Sequence, residues 1–167
     1  PMCTGVMTIR LAEKDDRDGI WAVMAPIIRE GTTYALDRAM TREAALDFWL
    51  GGDNEVFVFV GEGGDVLGTY FIHQNRPGGG AHVANTGYMV SLDAPGRGIG
   101  RALCLHSLDR ARDRGFRAMQ FNFVVSTNER AVRLWQSLGF EIVGRLPGAF
   151  RHPTLGDVDA LVMYRLL

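Results

Sequence analysis

A stretch that passes from apolar residues into three glycines at alternate positions constrains this chain more than any other: Met89-Val90-Ser91-Leu92-Asp93-Ala94-Pro95-Gly96-Arg97-Gly98-Ile99-Gly100-Arg101-Ala102-Leu103. It predicts a strand that runs through a tight turn into a helix. Glycines let backbone approach a ligand closely, and the free N–H groups of a helix start, with the helix dipole behind them, favour a phosphate. Arg97 and Arg101 add positive charge beside Gly98, Ile99 and Gly100. A dinucleotide fingerprint fails on spacing, because its third small residue falls on Leu103 or Arg101 according to where the count starts. The loop also follows several strands, whereas that fingerprint sits in the first strand-to-helix turn.

Any anion has to be held locally, since 18 basic and 19 acidic residues leave a net charge of −1. Such a balance offers no global field for nucleic acid or an acidic membrane. Lys14 is the single lysine and sits in the polar run Glu13-Lys14-Asp15-Asp16, which argues against Walker A and Schiff-base chemistry. Two cysteines, Cys3 and Cys104, form neither a disulfide framework nor a CxxC metal site, and His73, His82, His106 and His152 lack metal-ligand spacing. No metal is expected. With 167 residues, 47% of them hydrophobic, the chain reads as one domain, at a usual size of about 150 residues per domain, with an ordinary apolar core. Residues 1–6 read as an extension and 7–167 as the domain; the absence of a leader-like or membrane-spanning run predicts a reduced, cytoplasmic protein.

Hydrophobic periodicity and glycine punctuation predict the order β α α β β β α β α β β. Strands are expected over 7–11, 55–61, 66–73, 82–91, 117–125, 140–144 and 157–166. Helices are expected from Asp15 or Asp16 to Gly31, from Thr41 to Leu50, from the glycine cluster to about Arg114, and over 128–138. Pro147 to Gly156 reads as a loop. The fold class is therefore mixed α/β: a central mixed sheet of about six to seven strands with four helices.

The last of these helices, Asn128-Glu129-Arg130-Ala131-Val132-Arg133-Leu134-Trp135-Gln136-Ser137-Leu138-Gly139-Phe140, is amphipathic, with Asn128 as N-cap and Gly139 as terminator. Structure alone accounts for it. Paired in this order with the glycine loop, however, it resembles the GNAT superfamily of acyl-CoA-dependent N-acyltransferases. Gly98 and Gly100 match that family's acetyl-CoA loop, and Asn128, Ala131, Gly139 and Phe140 match its second motif. Within the superfamily, Asn85-Thr86-Gly87-Tyr88-Met89-Val90 and Phe121-Asn122-Phe123-Val124-Val125 look like the acetyltransferases of azetidine-2-carboxylate and other proline analogues. Arg29-Glu30-Gly31-Thr32-Thr33-Tyr34 looks more like the phosphinothricin type. Two residues depart from the family pattern: Pro95 stands where Arg or Gln begins the loop motif, and Trp135 stands where many members carry the tyrosine that protonates the leaving thiolate. Indole N–H is a poor acid.

The resemblance implies acetyl-CoA as cosubstrate and a direct attack by a neutral amine. The backbone of Arg97 to Arg101 would cradle pyrophosphate, and that of Met89 and Val90 would hold the pantetheine arm. Trp135 would pack against that arm or the helix core. The strand that enters the loop has no carboxylate, so Asn85 and, on the next strand, Asn122 are the expected acceptor-site residues, with Glu30 the carboxylate nearest a lid. His82 is the one histidine that reads as a candidate base. A lysine amine must lose about 3.4 pKa units to be neutral at pH 7, and a peptide α-amine only about 1, which disfavours protein lysine and favours α-amines or weakly basic imino acids. Without a strong base the expected acceptor is a small amino or imino acid. An acetyltransferase for protein N-termini and a non-catalytic acyl-CoA-binding module remain open alternatives, as does a homodimer. Cys104 reads as a packed thiol.

Overall fold

The computed structural model describes residues 6–167. Most of the segment expected as an extension, residues 1–5, therefore lies outside the described residues. The elements are β1 (Thr8–Leu11), α1 (Arg17–Glu30), α2 (Arg42–Leu50), β2 (Glu55–Val60), β3 (Val66–Gln74), β4 (Val83–Val90), α3 (Ile99–Asp113), β5 (Ala118–Val125), α4 (Glu129–Ser137), β6 (Glu141–His152) and β7 (Gly156–Leu166). The expected order holds throughout. Strands join in the order β1-β2-β3-β4-β5-β7-β6, antiparallel except for the parallel pair β4 and β5.

Two helices cover each face of the sheet. On one side α1 buries Ile20, Val23, Met24, Ile27 and Ile28, a stripe at helical spacing, against Val56, Val58, Phe71 and Met89 and against Trp49 of α2. Trp49 is fully buried; its Nε1–H donates to Thr69 Oγ1 at 3.0 Å, and that hydroxyl donates to Phe57 O at 2.7 Å. The buried indole proton of Trp49 is thereby paired. On the other side α3 and α4 pack Leu103, Cys104, Leu108 and Trp135 over Phe57, Tyr70, Met119 and Phe121. Cys104 is buried, and burial raises its thiol to about 11, as befits a packed residue. Asp16 is the N-cap residue of α1, as expected for Asp15 or Asp16, but its side chain makes no cap bond to that helix. It accepts from Arg10 at 2.7 and 3.0 Å and from the backbone N–H of Glu13 at 2.7 Å, which ties the start of α1 to β1.

One expected loop is strand. β6 continues through Arg145, Leu146, Pro147 and Gly148 to His152, so the turn to β7 is confined to 153–155. The turn-like residues are tolerated because β6 is the sheet edge, where proline removes no ladder bond, and because register shifts between Leu146 and Phe150.

β4 and β5 part company early. Their register covers Val83 with Ala118, Ala84 with Met119 and Asn85 with Gln120, and stops there. Beyond Asn85 the two strands splay, and the cleft between them is where the site forms.

Candidate active site

On one side of the splay lies the glycine loop. Gly98 is the N-cap of α3 in the left-handed region (φ 73°), and Gly96 has φ 70°, conformations that a Cβ disfavours. The first helical bond inside the turn runs from Ala102 N–H to Gly98 O, so the N–H groups of Ile99, Gly100 and Arg101 have no intrahelical acceptor. They point, with the positive end of a 15-residue helix behind them, at a cavity of about 520 Å³ lined by Val90, residues 94–101, Asn128, Arg130, Leu134 and Trp135 among others. A Cβ on Gly100 would stand 3.4 Å from Leu134 Cδ2 and 3.8 Å from Val90 Cγ2, so it would take up space at the cleft wall. Asn128 lines this cavity while its side chain accepts from Ala131 N–H at 3.4 Å as the N-cap of α4. Gly139, with φ 89°, turns the chain out of that helix.

Backbone alternation decides which groups of β4 face the cleft. Asn75 N–H bonds to Val83 O and Ser91 N–H to Leu67 O, both at 2.8 Å, so the odd residues of β4 exchange their hydrogen bonds with β3. Met89 is paired with Thr69 and turns its backbone away from the splay. The backbone expectation for Met89 and Val90 thus divides: Tyr88 and Val90, not Met89, direct N–H and C=O toward the side that β5 has left.

On the other side of the splay is a smaller cavity of about 230 Å³, below the roughly 300–1,000 Å³ of drug-sized sites. Asn85 and Asn122 both line it, with Tyr34, Phe48, Phe71, Phe121 and Trp135 among its walls; among the described residues no charged one does. Asn85 Nδ2 donates to Gln120 O at 2.9 Å, which bridges the point where the strands separate, and its Oδ1 lies 3.0 Å from His73 Nε2. Asn122 accepts from Gln120 Nε2 at 2.8 Å and donates to Asn75 Oδ1 at 2.7 Å. Tyr88 and Trp135 line both cavities, their rings 4.9 Å apart. Trp135 also meets Phe121 edge-on at 5.2 Å and is 9% exposed.

Glu30 stands apart from this arrangement: it is exposed at the end of α1 and accepts from Thr32 Oγ1 at 3.0 Å. His82 is likewise exposed, just before β4. Among the cavity residues that the sequence did not announce, three bear polar groups that matter for the chemistry. Arg130 faces the glycine loop from α4, its Nη2 3.9 Å from the Cβ position of Gly96. Tyr88 turns its hydroxyl away from the cleft to Ser107 Oγ (2.6 Å) and Thr86 Oγ1 (2.9 Å), where burial drives its pKa well up. Tyr34 Oη donates to Tyr88 O at 2.8 Å, satisfying a carbonyl that the splay deprives of a β5 partner. The position of Arg130 two residues after the N-cap was a legible signal; for the tyrosines there was none.

The Acetyltransferase (GNAT) family model matches residues 21–140, which contain both the glycine loop and the Asn128 helix. The chain belongs to the GNAT family of acetyltransferases. Among GNAT relatives, it is 33% identical to the N-acetyltransferase aca1 of Schizosaccharomyces pombe, over 81% of this chain and 72% of that one. A GCN5-related N-acetyltransferase from Kribbella flavida superposes with a TM-score of 0.91 at 47% identity, covering 96% of this chain and 98% of its own. The yncA protein of Salmonella typhimurium, solved with its cofactor acetyl-CoA, superposes at 0.80 with 26% identity, covering 98% and 95%. No helix among the described residues of this GNAT enzyme is long and apolar enough to cross a membrane.

Proposed function

We propose that this enzyme transfers the acetyl group of acetyl-CoA to the amine of a small amino or imino acid. The observation that carries the reading is the meeting of two cavities at one strand splay, a glycine-opened helix start on one side and an uncharged, asparagine-bearing cavity on the other. Acetyl-CoA supplies a thioester whose carbonyl carbon bonds to the amine nitrogen as the bond to sulfur breaks; the proton that the nitrogen sheds is taken up, directly or through solvent, by the departing CoA thiolate.

The free N–H groups of Ile99, Gly100 and Arg101 fit a pyrophosphate, and Arg97, Arg101 and Arg130 supply the charge that Pro95 cannot. The N–H groups of Tyr88 and Val90 suit the pantetheine arm and the thioester carbonyl, where an oxyanion develops. Trp135 serves as a wall between thioester and acceptor and moves no proton. Asn85 and Asn122 hold the polar head of the acceptor, with no role for Glu30. An uncharged cavity disfavours the ammonium form of an entering amine and so lowers the amine's own pKa toward neutrality, where the free base that attacks is present. It favours α-amino and imino acids over lysine side chains. The proline-analogue and phosphinothricin-type acceptors of the resembling enzymes are the first to try.

The test is an acceptor screen in which CoA thiol release is followed for free amino and imino acids, N-terminal peptides and lysine peptides. Turnover on peptides alone refutes the small-acceptor reading. Binding of acetyl-CoA with no turnover on any amine identifies a binding module instead.

A further inference from the structure

Apart from Thr33 and Trp135, each polar side chain that lines the acceptor cavity is hydrogen-bonded to protein, and the engagement fixes what it has left to offer. A phenol carries one proton, and that of Tyr34 goes to Tyr88 O at 2.8 Å. Only its lone pairs remain. The amide of Asn85 must present Nδ2 to the carbonyl of Gln120, so Oδ1 faces His73, whose Nε2 is then the donor. One N–H of Asn85 is left. Asn122 spends one N–H on Asn75 and keeps the other, while its Oδ1 already accepts from Gln120. Thr86 and Tyr88 turn their hydroxyls to each other and, for Tyr88, to Ser107.

The cavity therefore has a polarity: an acceptor oxygen at Tyr34 and donor N–H groups at Asn85 and Asn122. We infer that Tyr34 Oη receives the N–H of the incoming amine, and that the two asparagine amides face the carboxylate or carbonyl of the same molecule. This rests on the small-acceptor reading for the second half and on acetyl transfer to an amine for the first.

The fold builds the position of Tyr34 with some care. The segment that carries it is strapped to the end of α1 by Arg29, which donates to Arg38 O at 2.6 Å and Met40 O at 2.8 Å, and by Arg38 Nε, which donates back to Arg29 O at 2.9 Å. The ring stands edge-on to Trp49, centroids 6.1 Å apart. Opposite the hydroxyl, the strand carries Gly87; a Cβ there would come within 3.0 Å of Tyr34 Oη and 2.5 Å of Phe71 Cε1. A glycine in the middle of a strand weakens it, so close approach by another group is the physical reason for one here. Burial raises the pKa of Tyr34, which keeps the phenol neutral. A neutral oxygen holds a free amine without stabilising the unreactive ammonium as a carboxylate would.

Tyr34→Phe keeps the ring on Trp49 and removes the oxygen. With saturating acetyl-CoA, kcat/KM for the best amine of the screen is expected to fall 10- to 100-fold, mainly through KM, with acetyl-CoA affinity within threefold of wild type. Replacing the amino acid by its decarboxylated amine separates the two poles: the Tyr34→Phe penalty should persist, while that of Asn85→Ala should shrink below threefold. A merely structural strap would instead move Tm and acetyl-CoA affinity together and show no such split. Unchanged acceptor kinetics in Tyr34→Phe, or a penalty that disappears with the carboxylate, overturns the inference. Wild-type turnover on peptides alone overturns the small-acceptor reading, and Tyr34→Phe measured on that peptide amine still decides the role of Tyr34. Acetyl-CoA binding with no amine turned over overturns both.

Discussion

Gly100 offers a test in which stability and binding should move in opposite directions. It is the second residue of α3 and does not need a positive φ, so a side chain is compatible with its backbone. Alanine in a helix is favoured over glycine by up to about 1 kcal/mol. The added Cβ makes ordinary contact at 3.4 Å with Leu134 and 3.8 Å with Val90. The apo Gly100→Ala protein should therefore melt about 2–4 °C above wild type, the shift expected per kcal/mol at this chain length. Binding should weaken, because the methyl group occupies the wall of the cleft against which the glycine loop holds its anion. A hydrogen bond to a charged group contributes about 1.5–3 kcal/mol, so losing one raises Kd roughly 10- to 150-fold. Gly100→Ala is expected near the lower figure and Gly100→Val, with two further methyls in the cleft, at 100-fold or more. Calorimetric titration of acetyl-CoA and thermal melting of the apo proteins measure the two sides. An affinity for Gly100→Val within threefold of wild type, with its circular dichroism intact, refutes the assignment. Loss of affinity only in step with loss of Tm would refute the steric argument behind it.

Trp135→Phe should retain most of kcat, because the indole is a wall; a 100-fold loss, about 2.7 kcal/mol, with normal folding and acetyl-CoA affinity would mean that its N–H takes part. Asn122→Ala should lower kcat/KM for a small amino acid by 10- to 100-fold while acetyl-CoA affinity stays put, as a dialysis measurement can check. Arg130→Ala should weaken acetyl-CoA binding and flatten its salt dependence; equal salt slopes in the two proteins would remove Arg130 from the anion site. The guanidinium of Arg10 holds the Asp16 carboxyl below the usual carboxylate range, with burial opposing. A depressed folded pKa contributes stability at neutral pH that is lost as pH falls below the ordinary carboxylate value and through the folded one. Asp16→Asn should thus be less stable at pH 7 yet lose less between pH 5 and pH 2, and parallel Tm profiles would count against the pair.

The glycine loop and the Asn128 helix were legible because each is a local statement: positive φ at Gly96 and Gly98, an asparagine ahead of an amphipathic turn, a glycine behind it. The long course of β6 was not, since Pro147 and Gly148 carry turn chemistry that only an edge position neutralises. Asn85 and Asn122 could be put on neighbouring strands by counting, which brings them to one cavity. Glu30 was drawn toward the site by its place in the sequence, but its side chain ends on Thr32 at the surface. Tyr34 lies 54 residues from the carbonyl it meets, and nothing in its immediate sequence announces a long-range partner. Which backbone amides of β4 are free is likewise a matter of register with β3, and register emerges from the assembled sheet.

The parting of β4 and β5 after three residue pairs has a mechanical consequence. Four strands and three strands are held together at the splay by a short seam, the bridging amides of Asn85 and Asn122, and the apolar packing of α3 and α4. A ligand inserted there acts as a keystone: by bonding to the amides of Tyr88 and Val90 it supplies the rungs that β5 withholds. Those two amides should be among the fastest-exchanging in the interior of the empty enzyme and among the most slowed when acetyl-CoA is present. The two leaves of the sheet should then open together or not at all.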